Sequence, residues 1–142
     1  MSRLAERFAD EEELVEALSS QKIIGHDRAV ARELAHSGKL VTFAPGEELI
    51  RQGGDDDECY FLLAGKVALK VNRDTLPYGR SAGEVIGEFS AINPKLRRTA
   101  TVTATEEVVA LRCNSVTLKT ALRNAPEVWR DLAVELTHKV EQ

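Results

Sequence analysis

Hydrophobic positions along the chain keep one rhythm at its two ends and another in the middle. Near the N-terminus, Leu14, Val15 and Leu18 fall on one helical face, and Asp10 with Glu13 three residues on has the form of a capping box. A second helix is expected from about Asp27, with Val30, Ala31 and Leu34 on one face and a stop at Gly38. From Val41 the apolar runs shorten and sit between turn signals: Pro45-Gly46, Gly53-Gly54, Ala64-Gly65, Asn72-Arg73-Asp74 and Gly83. Val67, Leu69 and Val71 alternate with Ala68 and Lys70, as a half-buried strand requires. The run from Thr99 to Ala104 alternates threonine with small apolar residues, and Val108 to Leu111 supplies a further strand. Helical spacing returns after Asn114 or Ser115, either of which can cap a helix through Leu118, Ala121 and Leu122. Pro126 suits the first turn of a last helix in which Val128, Leu132, Leu136 and Val140 repeat every fourth position.

This order predicts a mainly β protein with flanking α-helices, a sandwich or barrel rather than βαβ units. The boundaries expected are N-terminal helices over 1–39, strands over 40–113 and C-terminal helices over 114–142, all within one domain. A domain of 142 residues hides about 70% of the surface its unfolded chain exposes, enough for a core without metal or disulfide staples. The last helix meets no stop signal before Gln142, which predicts continuation into a longer protein. Its apolar stripe suits a homodimer contact.

A net charge of −4 argues against a nucleic-acid surface. The first residues lack the apolar core of a signal peptide, and no apolar run reaches membrane-spanning length, so a soluble, cytoplasmic protein with no membrane partner is expected. Cys59 and Cys113, far apart in the chain and without C-x-x-C spacing, read as buried reduced thiols. The acidic run Asp55 to Glu58 reads as a turn between strands, because it lacks the spaced ligands and central glycine of a calcium loop. His26, His36 and His138 are scattered, so no metal and no cofactor are expected. Trp129 reads as a core contact of the last helix rather than a lid.

The chemistry concentrates between Gly83 and Val102. A strand is expected to end at Ile86, a sharp turn at Gly87 follows, and a short helix then opens with the amides of Gly87, Glu88, Phe89 and Ser90 unpaired. Such amides suit an anion. After the Asn93–Leu96 loop, Arg98 is expected to re-enter a strand, offering a guanidinium that matches two phosphate oxygens, with the Thr99 hydroxyl beside it. Glu88 is an acid where an anion should bind, which makes sense if the ligand carries a hydroxyl donor next to its phosphate. Without ligand, Glu88 and Arg98 are placed to pair with each other. Lys95 and Arg97 read as solvated loop charges.

The string Gly83-Glu84…Gly87-Glu88-Phe89-Ser90…Arg98-Thr99-Ala100-Thr101-Val102 resembles the phosphate-binding cassette of cyclic-nucleotide-binding domains. These domains occur in catabolite activators, cyclic-nucleotide-dependent kinases and gated channels. Phe43-Ala44-Pro45-Gly46-Glu47…Ile50, Gly53 and Tyr60…Gly65-Lys66-Val67 resemble the same family's opening strands. The resemblance covers roughly residues 40 to 140. It implies an antiparallel, jelly-roll-like β-roll with the cassette and its short helix at 83–102, closing over one 3′,5′-cyclic mononucleotide. Carried over by position, Glu88 takes the ribose 2′-OH, Arg98 the cyclic phosphate, and Thr99 the phosphate or the base. Ile86, Gly87, Phe89, Ser90 and Ala100 complete the ligand-binding set. Of the doubled Arg97-Arg98, the register counted back from Ala100-Thr101-Val102 favours Arg98.

The N-terminal Leu14-to-Leu18 helix, the Asn93–Val102 stretch and Pro126-Glu127-Val128-Trp129-Arg130 further resemble sensors that precede a TIR-like effector domain in bacteria. That resemblance implies a role in cyclic-pyrimidine antiphage signalling, with cyclic UMP or cyclic CMP switching on NAD cleavage by the downstream effector. Two alternatives stand beside it: a cyclic AMP or cyclic GMP sensor of a transcription factor, kinase or channel, and an interaction domain that has lost its ligand. No nucleophile–base pair or G-x-S-x-G signature appears, so no enzyme activity and no catalytic residues are expected in this chain.

Overall fold

The structure, a computed structural model, describes residues 2–93, 95–123 and 125–141, with 135–141 as helix backbone only. Three helices come first: α1 (Arg3–Ala9), α2 (Glu11–Ser19) and α3 (Arg28–Ser37). The capping expected from the sequence is present, since Asp10 Oδ2 accepts from the Glu13 amide at 3.1 Å. Asp27 Oδ1 accepts from the amides of Ala29 and Val30. Helix α1 was not anticipated; Ser2 caps it through the Ala5 amide, and it buries Ala5 and Phe8. Gly38 does end α3, but not through a left-handed turn, because its φ is −87°. A Cβ there would sit 2.9 Å from the Leu111 side chain, so close packing is the reason for glycine.

Among the described residues nine strands follow, interrupted by a short helix: β1 (Lys39–Phe43), β2 (Glu48–Ile50), β3 (Cys59–Ala64), β4 (Lys66–Val71), β5 (Asp74–Thr75), β6 (Arg80–Ser81), β7 (Val85–Ile86), α4 (Glu88–Ile92), β8 (Thr101–Ala104) and β9 (Val108–Cys113). Every described pairing is antiparallel. One sheet runs β1-β9-β3-β7; the other runs β2-β8-β4-β5, with β6 also on β4. The chain is thus an antiparallel β-roll with flanking helices, closed by α5 (Ser115–Leu122) and α6 (Pro126–Glu141).

Strands β3 and β9 are apolar on both faces because each face meets a core. Phe61, Leu63, Val109 and Leu111 face the helices and pack with Phe8, Leu18, Leu34, Leu118 and Leu122. Their alternates Tyr60, Leu62, Val108 and Ala110 face the roll's interior with Ile50, Val67, Ile86 and Val102. The same register sets Cys59 directly opposite Cys113. Both thiols are free and buried.

Asn114 Oδ1 caps α5 through the Thr117 amide at 2.8 Å. On α6, Val128 and Leu132 are buried as expected, while the side chains of Leu136, His138 and Val140 lie outside the described residues. Trp129 is not a core residue. It is 39% exposed and lies with Ile92, Leu122 and Pro126 along a surface groove between α4, α5 and α6. No helix among the described residues is long and apolar enough to cross a membrane.

Candidate phosphate and sugar site

Two-residue strand β7 delivers the chain to Gly87, whose φ of +77° turns it into α4. A left-handed φ favours glycine, and space demands it as well. A Cβ here would lie 2.6 Å from Arg98 Nη1 and 2.8 Å from the Glu58 carbonyl. Glu88 and Ser90 follow, both buried, with Phe89 half-buried between them. The Ser90 hydroxyl donates to the Leu96 carbonyl at 3.2 Å, fastening α4 to the end of the Asn93–Leu96 loop.

Arg98 and Ala100 do not lie in a strand; β8 starts at Thr101. The reason is a local exchange of backbone bonds with the Gly53-Gly54 turn. Gly53 N donates to the Arg98 carbonyl at 2.8 Å, and Arg98 N donates to the Gly54 carbonyl at 3.0 Å. This exchange holds the Arg98 backbone against the turn and its side chain inward, with Arg98 5% exposed overall. Arg97, by contrast, is exposed, and its Nη1 donates to the Gly53 carbonyl.

The guanidinium is held by a partner that sequence reasoning missed. Arg98 Nε and Nη2 donate to Asp56 Oδ1 and Oδ2 at 3.3 and 2.7 Å. Nη1 donates to the Gly87 carbonyl at 3.1 Å, and Nη2 also donates to the Glu58 carbonyl. Among the described residues Arg98 makes its ion pair with Asp56, a partner that the sequence did not suggest. A guanidinium carries five N–H donors. Among the described residues these bonds leave one Nη1 hydrogen uncommitted, so a two-pronged grip on an anion would require Asp56 to yield. Arg98 in turn holds the Asp56 carboxyl below the usual carboxylate range, first through the side-chain hydrogen bond and then through charge. Nothing in the run Asp55-Asp56-Asp57-Glu58 marks the second acid as the one that meets Arg98.

All eight residues expected at the site border one cavity of about 520 Å3: Ile86, Gly87, Glu88, Phe89, Ser90, Arg98, Thr99 and Ala100. Ile50, Leu69, Val71 and Leu76 give it an apolar wall, and Arg80 and Arg97 also reach it. Its size lies within the range usual for small-molecule sites, roughly 300–1,000 Å3. A buried guanidinium, a buried carboxylate and a glycine turn at one end, with an apolar wall elsewhere, can accommodate an anionic group joined to a flat apolar one. Among the described residues no cluster of His, Cys, Asp or Glu could hold a metal ion.

The family model described as "Cyclic nucleotide-binding domain" matches residues 40–125. The Pycsar effector protein BcPycTIR of Burkholderia cepacia is 32% identical over 126 residues, which are 89% of this chain and 41% of that protein. XpPycTIR of Xanthomonas perforans, another Pycsar effector protein, is 30% identical over 142 residues, 98% of this chain and 46% of its own length. The chain thus spans less than half the length of these curated relatives. Among solved structures, cAMP-bound PfPKA-R superposes with a TM-score of 0.78 at 19% identity, over 97% of this chain and 46% of that one, a likeness of fold. The chain belongs to the cyclic nucleotide-binding domain family.

Proposed function

We propose that this chain is a sensor that closes over one 3′,5′-cyclic mononucleotide, a cyclic pyrimidine, and relays its presence to an effector domain downstream. The observation that carries the reading is Arg98, a buried cation kept in place by Asp56 and two backbone carbonyls at the wall of a cavity. In this reading Arg98 and the amides that open α4 take the cyclic phosphate. Glu88 accepts from the ribose 2′-OH, and Thr99 and Ala100 line the phosphate end. The pyrimidine and the TIR-like effector are supported by the relatives' names, and the role proposed is antiphage signalling in the cytoplasm. The chain itself is assigned no catalytic step. A buried pair of free thiols fits a reducing compartment.

Calorimetric titration of the chain with cyclic UMP, CMP, GMP and AMP tests this reading. Removing a buried charged partner of a ligand costs roughly 2–5 kcal/mol, so Arg98→Ala should weaken binding about 30- to several thousand-fold. Glu88→Ala should weaken binding less, and its effect should vanish with a 2′-deoxy ligand. Wild-type protein that binds none of the four nucleotides would sink the proposal. A cyclic AMP affinity far above that for either pyrimidine would replace it with the cyclic AMP sensor.

A further inference from the structure

Resting on that reading, we infer that Arg80 reads the base and selects one that presents a keto oxygen, which among cyclic pyrimidines means uracil over cytosine. The inference begins from a charge on an apolar wall. Arg80 stands on β6 directly opposite Val67 of β4. Residues opposite in register share a face, and Val67 is buried inside the roll. Leu69 and Val71, two and four residues on along β4, therefore share that face, and both border the cavity with Arg80.

Arg80 also lies at the far end from the phosphate residues. Strand β4 separates β6 from β8, and Thr101 pairs with Lys70 where Arg80 pairs with Val67. Two strand spacings and a three-residue offset put Arg80 about 14 Å from Thr101, just beyond Arg98. A mononucleotide held by its phosphate at Arg98 sends its base in this direction.

The guanidinium is steadied but not used up. Arg80 Nε lies 3.8 Å from Glu84 Oε2, and Nη1 donates to the Gly79 carbonyl at 3.0 Å. Glu84 is itself fixed, because its Oε1 accepts from the Ser81 amide at 3.2 Å. Among the described residues, Arg80 Nη2 has no hydrogen-bond partner. An arginine only donates. The distal base edge of uracil or guanine offers a carbonyl acceptor, whereas cytosine and adenine place an amino donor there. A donor gains a hydrogen bond from a carbonyl and none from an amino group, so the keto bases are favoured.

The test is calorimetry of the wild-type chain, Arg80→Ala and Arg80→Met against all four cyclic nucleotides, with melting curves for each protein. Arg80→Met keeps a long apolar stem against Val67 and Leu69 should the alanine variant fold poorly. Wild type should bind cyclic UMP about tenfold or more tightly than cyclic CMP. Arg80→Met should lose that margin by weakening cyclic UMP while leaving cyclic CMP within about threefold. Cyclic GMP and cyclic AMP should behave as the second keto and amino pair. Equal wild-type affinity for cyclic UMP and CMP overturns the inference, as does an Arg80 variant that weakens both alike. Wild type that binds no cyclic nucleotide instead overturns the sensor reading on which this one rests.

Discussion

Arg98 brings a full positive charge into a nearly dry corner of the roll, and such a charge is tolerated only when it is paired and its donors are satisfied. Asp56 meets the first condition, and the Gly87 and Glu58 carbonyls help to meet the second. The pair is lopsided, since the Arg98 side chain is 2% exposed and that of Asp56 45%. Water screens the acid, so its own contribution stays near the surface-pair scale of about 1 kcal/mol. Its sign with pH follows from the lowered Asp56 pKa. A carboxyl depressed in the folded state stabilises fully above its unfolded pKa, about 3.9, and that stabilisation fades as pH falls through the lower folded value. The melting temperature of wild type should therefore exceed that of Asp56→Asn by a constant margin from pH 7 to 5, and the margin should shrink below about pH 4. A margin missing at neutral pH, or unchanged at pH 3, would show that Asp56 does not hold Arg98 by charge. Sequence reading reached Arg98 but not Asp56. An arginine in a spaced string has a signature, while one acid among four has none until the fold brings it to the arginine.

At the scale of elements, β3 and β9 carry the most structure, because the helix layer and the roll interior both pack on them. Their cross-strand pair Cys59–Cys113 tests how tightly this seam is closed. The Cys59 thiol is held well above its ordinary pKa by its hydrogen bond to Cys113 and then by burial. Both thiols are buried away from reagent, and for Cys59 the reactive thiolate is also disfavoured, so neither thiol of the native protein should react with a thiol-specific disulfide reagent at pH 8, and both should once unfolded. Rapid reaction in the native state would mean that the strands part readily. Much at this scale was legible in advance. Asp10 caps its helix as expected, Asn114 is the cap of the two offered with Ser115, and Asp27 caps the helix expected to start near it, since a short acceptor before an apolar period is a local signal. The turn glycines Gly46, Gly53, Gly65 and Gly83 all have positive φ. What failed was set from a distance. Thr99 and Ala100 alternate like a strand, yet the Gly53-Gly54 turn takes the Arg98 backbone bonds first. Trp129 follows the apolar stripe of α6 but sits at its edge, where the groove between helices leaves it half in water.

Across the whole molecule, the cavity and the C-terminal helices are joined by α4. Its first turn borders the cavity through Glu88, Phe89 and Ser90. Its second half sits in the other core, where Ala91 and Ile92 belong to the same cluster as Leu118 and Leu122 of α5 and Val128 and Leu132 of α6, and α4 packs directly on α5. A five-residue helix cannot move at one end alone, so drawing the Glu88–Ser90 turn onto a phosphate must also load its contacts with α5, against which α6 packs. Ligand bound only by the folded state adds RT ln(1 + [L]/Kd), about 2.7 kcal/mol at a hundredfold excess over Kd. For a chain of this size that raises the melting temperature by roughly 6–10 °C. Global stabilisation alone would protect the slowest amides everywhere, in both cores alike. Coupling through α4 makes a narrower demand: hydrogen exchange in α5 and the first turns of α6 should change on adding the tightest cyclic nucleotide, beyond the change in β1 and β9. An Arg98→Ala protein under the same conditions should lose both the melting shift and the exchange change. If the nucleotide raised the melting temperature but left α5 and α6 exchanging as before, the site would bind without signalling through α4.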